Sequence, residues 1–244
     1  MENILLPSKM SFTPGEANES ILTIEPLYYG YGTTIGNALR RVLLSSLEGA
    51  AVIAVKIKGA QHEFSTLEGV KEDMLEVILN LKLLRLKVHS DDSVMLKLKA
   101  DKKGEVTAAA IEANADVEIS NKDLVLATLT EDSSFEMDIT VSRGRGYSAV
   151  EERDDTGMDI GTVAVDALFS PVLNAGLRVE NTRVGEITNY DRLIMNIKTD
   201  GTVTPQEAVE NATTIVMNHL NWINGQLMHG SLDGKEEEKG ADNE

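Results

Sequence analysis

The chain has 244 residues, a formal net charge of −17 and no cysteine. Its 40 acidic residues against 23 basic ones argue against a protein that wraps nucleic acid, because such a surface repels phosphates instead of releasing their counterions. Without cysteine there is no disulfide scaffold, Cys-ligated zinc site, iron–sulfur cluster or thiol nucleophile.

The length suits one large or two modest domains, and an apolar fraction of 42% is that of an ordinary globular protein. No run approaches the ~20 consecutive apolar residues of a membrane span. Residues 1–12 lack the cationic and apolar regions of a signal peptide. No membrane is therefore expected, and the chain is read as cytoplasmic.

The segment ESILTIEPL, residues 19–27, alternates weakly and carries β-branched residues, as a strand does. A glycine-bearing turn, Tyr29-Gly30-Tyr31-Gly32, leads into a helix over 34–46, on which Ile35, Ala38, Leu39, Val42 and Ser46 form one stripe. A threonine is expected to cap its start and Gly49 to end it. Asn37, Arg41, Leu44 and Glu48 form a second stripe. A cation, an aliphatic and an amide together suit a partner contact, since arginine can pair bidentately while its stem packs; a solvated face is the plainer reading.

Next, Ile53, Val55 and Ile57 alternate with polar or small neighbours up to Gly59. An amphipathic helix is expected within 69–82, with Val70, Met74, Val77, Ile78 and Leu81 on one face. Leu84, Leu86 and Val88, then Val94, Leu96 and Leu98, read as a hairpin turned at Ser90-Asp91-Asp92-Ser93. Phe135, Met137, Ile139 and Val141 repeat the period of two. This middle block is predicted to be mostly antiparallel sheet with one helix.

Toward the C-terminus, Leu193, Met195 and Ile197 alternate as in a strand, and Asp200-Gly201 marks a turn. Thr204-Pro205-Gln206-Glu207 is a capping box with proline at the first helical position. Ala208, Ala212, Ile215, Val216, His219, Trp222 and Ile223 then make the apolar face of a helix over 205–222. The acidic tail, residues 229–244, has almost no apolar content and reads as disordered.

Catalytic candidates are few. The four histidines, His62, His89, His219 and His229, show no metal-ligand spacing. Asp91-Asp92 and the run Glu151-Glu152-Arg153-Asp154-Asp155 read as solvated loops, although the second could meet a basic regulator. No phosphate-loop or nucleophile-elbow motif occurs, and the glycines between Gly30 and Gly36 miss the dinucleotide fingerprint by one residue. Arg143-Gly144-Arg145-Gly146-Tyr147 follows a strand, either as a flexible end or as a contact for an anion or partner.

The run Gly36-Asn37-Ala38-Leu39-Arg40-Arg41-Val42-Leu43-Leu44-Ser45-Ser46 resembles the signature helix of the bacterial RNA polymerase alpha subunit, N-terminal domain. Further matches follow in family order: His62 to Asp73, Asn80-Leu81-Lys82, Arg143 to Tyr147, Val165 to Val172, and Thr199-Asp200-Gly201-Thr202. Six ordered segments between Ile4 and Leu220 are more specific than any one alone.

The resemblance implies an α+β fold. A discontinuous dimerisation domain, 1–48 plus 171–228, holds two long helices, and a β-rich domain, 49–170, is inserted into it. It implies a homodimer closed by Ile35, Leu39, Val42, Ile215, His219 and Trp222, on which the beta and beta-prime subunits assemble. By similarity, Arg41 with Leu44 carries the beta contact and Arg40 lies alongside. Glu68, Lys82, Arg143 and Arg145 belong to the large-subunit surface. The enzyme implied is a nucleotidyltransferase, but two-metal nucleotidyl transfer needs clustered aspartates, so this chain is expected to supply no catalytic residue, metal site or cofactor. DNA contact is expected only through the assembled enzyme, since the family's small C-terminal domain has no counterpart in the sequence. A free-standing dimeric alpha-like protein that sequesters a regulator or a large subunit is the alternative.

Overall fold

The computed structural model describes residues 4–60, 62–153, 159 and 161–233. Asp154, Asp155 and the acidic tail beyond Asp233 lie outside the described residues. Two apolar cores organise the rest.

The first core is assembled from both halves of the chain. Strands β1 (Lys9–Pro14) and β2 (Glu19–Leu27) precede helix α1 (Tyr31–Ser45). The block described below follows, and then come the remaining two strands and the helix of this unit. In the complete count these are β13 (Val172–Val184), β14 (Ile187–Thr199) and α3 (Pro205–Asp233). The sheet order is β1-β2-β14-β13, antiparallel throughout, with Leu22 opposite Met195 and Ile24 opposite Leu193. Leu22, Leu43, Leu193, Met195, Ile197 and Ala212 fill the space between sheet and helices.

α1 lies on this sheet differently from the expected stripe. Its buried positions are Gly32, Gly36, Leu39 and Leu43; Ile35 and Val42 are half-buried, and Ala38 is exposed. A Cβ on Gly36 would stand 2.4 Å from Leu177 Cδ1 and 2.8 Å from Leu193 Cδ1, so glycine lets the helix backbone rest on the strands. Glycine carries no apolar signal, which is why counting hydrophobic residues rotates the helix. Its start has no threonine cap. Gly30, in the left-handed region at φ 82°, opens the helix, and the buried Asp191 carboxylate accepts from the Gly32 amide at 3.0 Å. The Thr34 hydroxyl donates backwards to Gly30 O instead. The helix ends at Ser46, and Gly49 lies in the following strand.

The second core belongs to residues between these ends. Its elements in chain order are β3 (Glu48–Ile57), α2 (Met74–Leu81), β4 (Leu86–Val88), β5 (Val94–Ala100), β6 (Gly104–Thr107), β7 (Val117–Ile119), β8 (Val125–Leu129), β9 (Phe135–Arg145), β10 (Tyr147–Ser148), β11 (Thr162–Ala164) and β12 (Ala167–Leu168). The main sheet runs β5-β9-β3-β4-β7, with β11 also on β3; β6–β8 and β10–β12 are two-stranded ribbons. α2 buries Met74, Val77, Ile78 and Leu81, and the Asp73 carboxylate caps it by accepting from Glu76 N at 2.8 Å.

The expected hairpin between β4 and β5 does not form. β4 pairs with β3 and β7, while β5 pairs with β9, Leu96 facing Ile139 and Leu98 facing Met137. The Ser-Asp turn suits a reversal, but both strands take their neighbours from distant sequence.

α3 starts as read. Glu207 N donates to Thr204 Oγ1 at 3.2 Å, and Thr204 N donates back to Glu207 Oε2 at 2.9 Å. It then runs 29 residues, through Gly225 and five residues into the tail expected to be disordered. Among the described residues no helix is long and apolar enough to cross a membrane.

Candidate assembly interfaces

Among the described residues no three His, Asp or Glu side chains are grouped as a metal would need. The notable features are surfaces instead.

α1 turns its cations outward. Arg40 and Arg41 are exposed, and neither forms an ion pair among the described residues, although the chain carries 40 carboxylates. Leu44, 37% exposed, stands beside Arg41, and Asn37 is held by donating to Thr33 O at 2.9 Å. Glu48 does not complete this stripe, because it lies in β3.

Glu48 instead anchors the arginines of β9. Arg143 Nε donates to its Oε1 at 2.5 Å, and Arg143 Nη1 reaches Asp91 Oδ1 at 2.9 Å; Arg145 is 3.9 Å away from Glu48 Oε2. Arg143 is therefore engaged within the chain, while Arg145 keeps 61% of its side chain exposed. The glycines here serve packing and turning. A Cβ on Gly144 would meet the Phe169 ring at 2.6 Å, and one on Gly49 would meet Phe169 O at 1.8 Å. Gly146 takes φ +65° where the chain turns into β10. The flexible-end reading gives way to a strand that continues through Arg145.

Lys82 closes a second ion-paired cluster. Its Nζ is 3.1 Å from Asp166 Oδ2, and Asp166 Oδ1 accepts from Val150 N at 3.1 Å. These bonds hold the Asp166 carboxyl below its ordinary value, the Val150 amide first and Lys82 second, with the Tyr147 hydroxyl contributing. Asp166 was not singled out by sequence; its position inside the 165–172 segment was the available signal. Glu68 is exposed on the loop before α2, where Phe64 is 72% exposed.

α3 divides in two. Ala208, Val209 and Ala212 are buried, and Ile215 is half-buried against the same core. Beyond it, Met217, Leu220, Trp222, Ile223, Leu227 and Met228 are 49–70% exposed. His219 is exposed, its Nδ1 2.8 Å from Ile215 O. Of the six side chains expected at a dimer face, Trp222 and His219 stand in the open. Ile35, Val42 and Ile215 sit at the edge of the core. Leu39, 6% exposed, is enclosed within its own chain because it shares the glycine-lined face of α1.

Comparison with known proteins gives these surfaces a context. A family model described as the RNA polymerase Rpb3/RpoA insert domain matches residues 55–170. The DNA-directed RNA polymerase subunit alpha of Alkaliphilus oremlandii is 48% identical over 199 residues, covering 82% of this chain and 63% of that protein. The subunit alpha of Carboxydothermus hydrogenoformans is 51% identical over 197 residues, covering 81% and 63%. That of Moorella thermoacetica is 48% identical over 202 residues, covering 83% and 64%. The chain thus spans under two thirds of the length of these relatives. With about half of the aligned residues identical along four fifths of its own length, the chain is similar to the DNA-directed RNA polymerase alpha subunits.

Proposed function

We propose that this chain is a non-catalytic assembly subunit of a bacterial RNA polymerase, a cytoplasmic homodimer that docks the beta and beta-prime subunits. The observation that carries the reading is the outer half of α3. Six large apolar side chains stand 49–70% exposed along it, and exposed apolar surface of that extent marks a protein contact. A second copy offers the same surface, so a two-fold axis covers both at once. Trp222 and His219 lie inside that contact; Ile35, Val42 and Ile215 border it, and Leu39 supports it from within.

The large subunits take the other outward faces. Arg41 and Leu44 form the centre of the beta contact, and Arg40 adds a second unpaired cation. Lys82, Glu68 and Arg145 extend the surface over the inserted block, residues 49–170. Arg143, clamped by Glu48 and Asp91, is a positioning residue for the strand end that carries Arg145. Template, metals and nucleotidyl transfer belong to the large subunits, and DNA meets this chain only through the assembly. It needs no cofactor of its own.

The test is reconstitution of the tagged full chain with both large subunits, read by light scattering and RNA synthesis. Two copies of this chain with one of each large subunit, active on a template, is the expected result. Recovery of the chain alone, as monomer or homodimer, overturns the proposal, and the second outcome would favour a sequestering role.

A further inference from the structure

The chain has only five tyrosines; three of them, Tyr28, Tyr31 and Tyr190, meet ring to ring, and Tyr29 adjoins them in sequence. Tyr28 and Tyr29 end the turn before α1, Tyr31 begins the helix, and Tyr190 reaches the same spot from β14. Tyr28 is the hub, its ring edge-to-face with Tyr31 at 6.0 Å and with Tyr190 at 6.1 Å. Tyr28 is 44% exposed, Tyr31 42% and Tyr29 70%. Rings that hold one another lose little freedom when a partner covers them, and tyrosine is among the side chains that dominate interface energies.

The surroundings define what such a patch can receive. The outward line of α1 continues from Tyr31 through Thr34, Asn37 and Arg41 to Leu44, a span of about 20 Å at the rise of an α-helix. Not one residue of α1 is acidic. The carboxylates of the adjoining strands are occupied: Asp191 accepts from Gly32 N, and Glu25 accepts from Arg192 Nε at 2.6 Å. On a chain of net charge −17, this strip offers hydroxyl and guanidinium donors over apolar rings and no free carboxylate.

We infer that the tyrosine cluster is a docking platform for an acidic segment of a large polymerase subunit, one whose apolar side chains cover the rings while its carboxylates accept from the tyrosine hydroxyls. The inference rests on the assembly role proposed above, and it extends the Arg41–Leu44 contact to the opposite end of α1. Charge complementarity selects the occupant, because an acidic strip meets the tyrosine hydroxyls at one end of the line and the unpaired Arg41 toward the other.

Hydroxyl-radical footprinting of the wild-type full chain, alone and in the reconstituted polymerase, reads the platform directly. Tyr29 and Tyr190 are expected to become protected only in the assembly. Binding of the large subunits to the chain carrying Tyr29→Ser with Tyr190→Ser is expected to weaken about tenfold, the effect of losing an interface anchor, with self-association unchanged. Tyr29→Phe, which keeps the ring, should weaken it less.

Normal assembly by the double variant, with Tyr29 and Tyr190 unprotected in the wild-type complex, overturns the platform. If Arg41→Ala still weakens binding in that experiment, the assembly role stands without it. Protection already present in the chain alone, with monomers formed by the variant, assigns the tyrosines to self-contact and also overturns the inference. Failure of the wild-type chain to bind either large subunit removes both readings together.

Discussion

In the β-rich block, α2 turns Met74, Val77, Ile78 and Leu81 into a core that strands of the same block enclose. The unit built on α1 and α3 is only partly enclosed. It buries Ala208, Val209 and Ala212 from the first turns of α3 and leaves Leu220, Trp222 and Leu227 outside. A helix of 29 residues is longer than the sheet beneath it can cover. The contrast separates two kinds of apolar residue: those enclosed by the chain's own fold and those that it leaves uncovered.

Core substitutions test that contrast with the largest effects. Leu193→Ala and Ile139→Ala each remove a fully buried side chain, one from each core, and each should cost about 2–5 kcal/mol in denaturant unfolding. Their consequences for assembly should differ. Leu193→Ala loosens the floor under α1 and should weaken self-association in analytical ultracentrifugation; Ile139→Ala should leave it unchanged. Equal behaviour of the two would erase the distinction.

Close approach comes next. Gly36→Ala sets a methyl against Leu177 and Leu193, whose ends can shift a little, and should cost about 1–3 kcal/mol. The melting temperature should fall by roughly 2–4 °C per kcal/mol. An unchanged melting temperature would mean that α1 does not rest on the sheet at this point.

Thr204→Ala breaks the capping box and should cost about 1 kcal/mol. Helix content measured by circular dichroism should drop only at the start of α3, leaving the exposed half able to self-associate.

The smallest effect is electrostatic. The Arg192 hydrogen bond holds the Glu25 carboxyl below its ordinary value of 4.5. Its stabilisation is therefore complete above about pH 5 and is lost as the pH falls through the lowered folded value. Glu25→Gln should be less stable than wild type at neutral pH and should lose less on acidification, as measured by urea unfolding at several pH values. A parallel loss in both proteins would remove Glu25 from the account of the acid sensitivity.

Much of this architecture is legible in local sequence because local chemistry dictates it. The capping box of α3 and the alternation of Phe135, Met137, Ile139 and Val141 need only neighbours within a few residues. What escaped depends on distant partners. The pairing of β4 and β5 is decided by strands elsewhere in the chain, and Arg143 finds Glu48 at a separation of 95 residues. The buried face of α1 departs from its apolar stripe because glycines, which carry no apolar signal, make its contact with the sheet. α3 outran its expected end because Gly225 and the polar residues after it do not break a helix already begun. Among the surface residues, the exposed pair Arg40 and Arg41 could be read from helical spacing. The tyrosine cluster could not, since Tyr190 joins it only through the packing of β14 beside β2.

That strand pairing also sets a timetable. The carboxylate that caps α1 comes from Asp191, 159 residues after the amide it binds. At about 5–20 residues per second, a ribosome needs on the order of 10–30 s to travel that distance. Until then α1 lacks both its cap and the β13–β14 half of its sheet, while most of the β-rich block has already emerged. The helix that carries Arg41 is thus among the first segments made and among the last to be seated. A chain whose synthesis stops before Asp191 would leave α1 unseated, so the order of this helix waits for a nearly finished molecule.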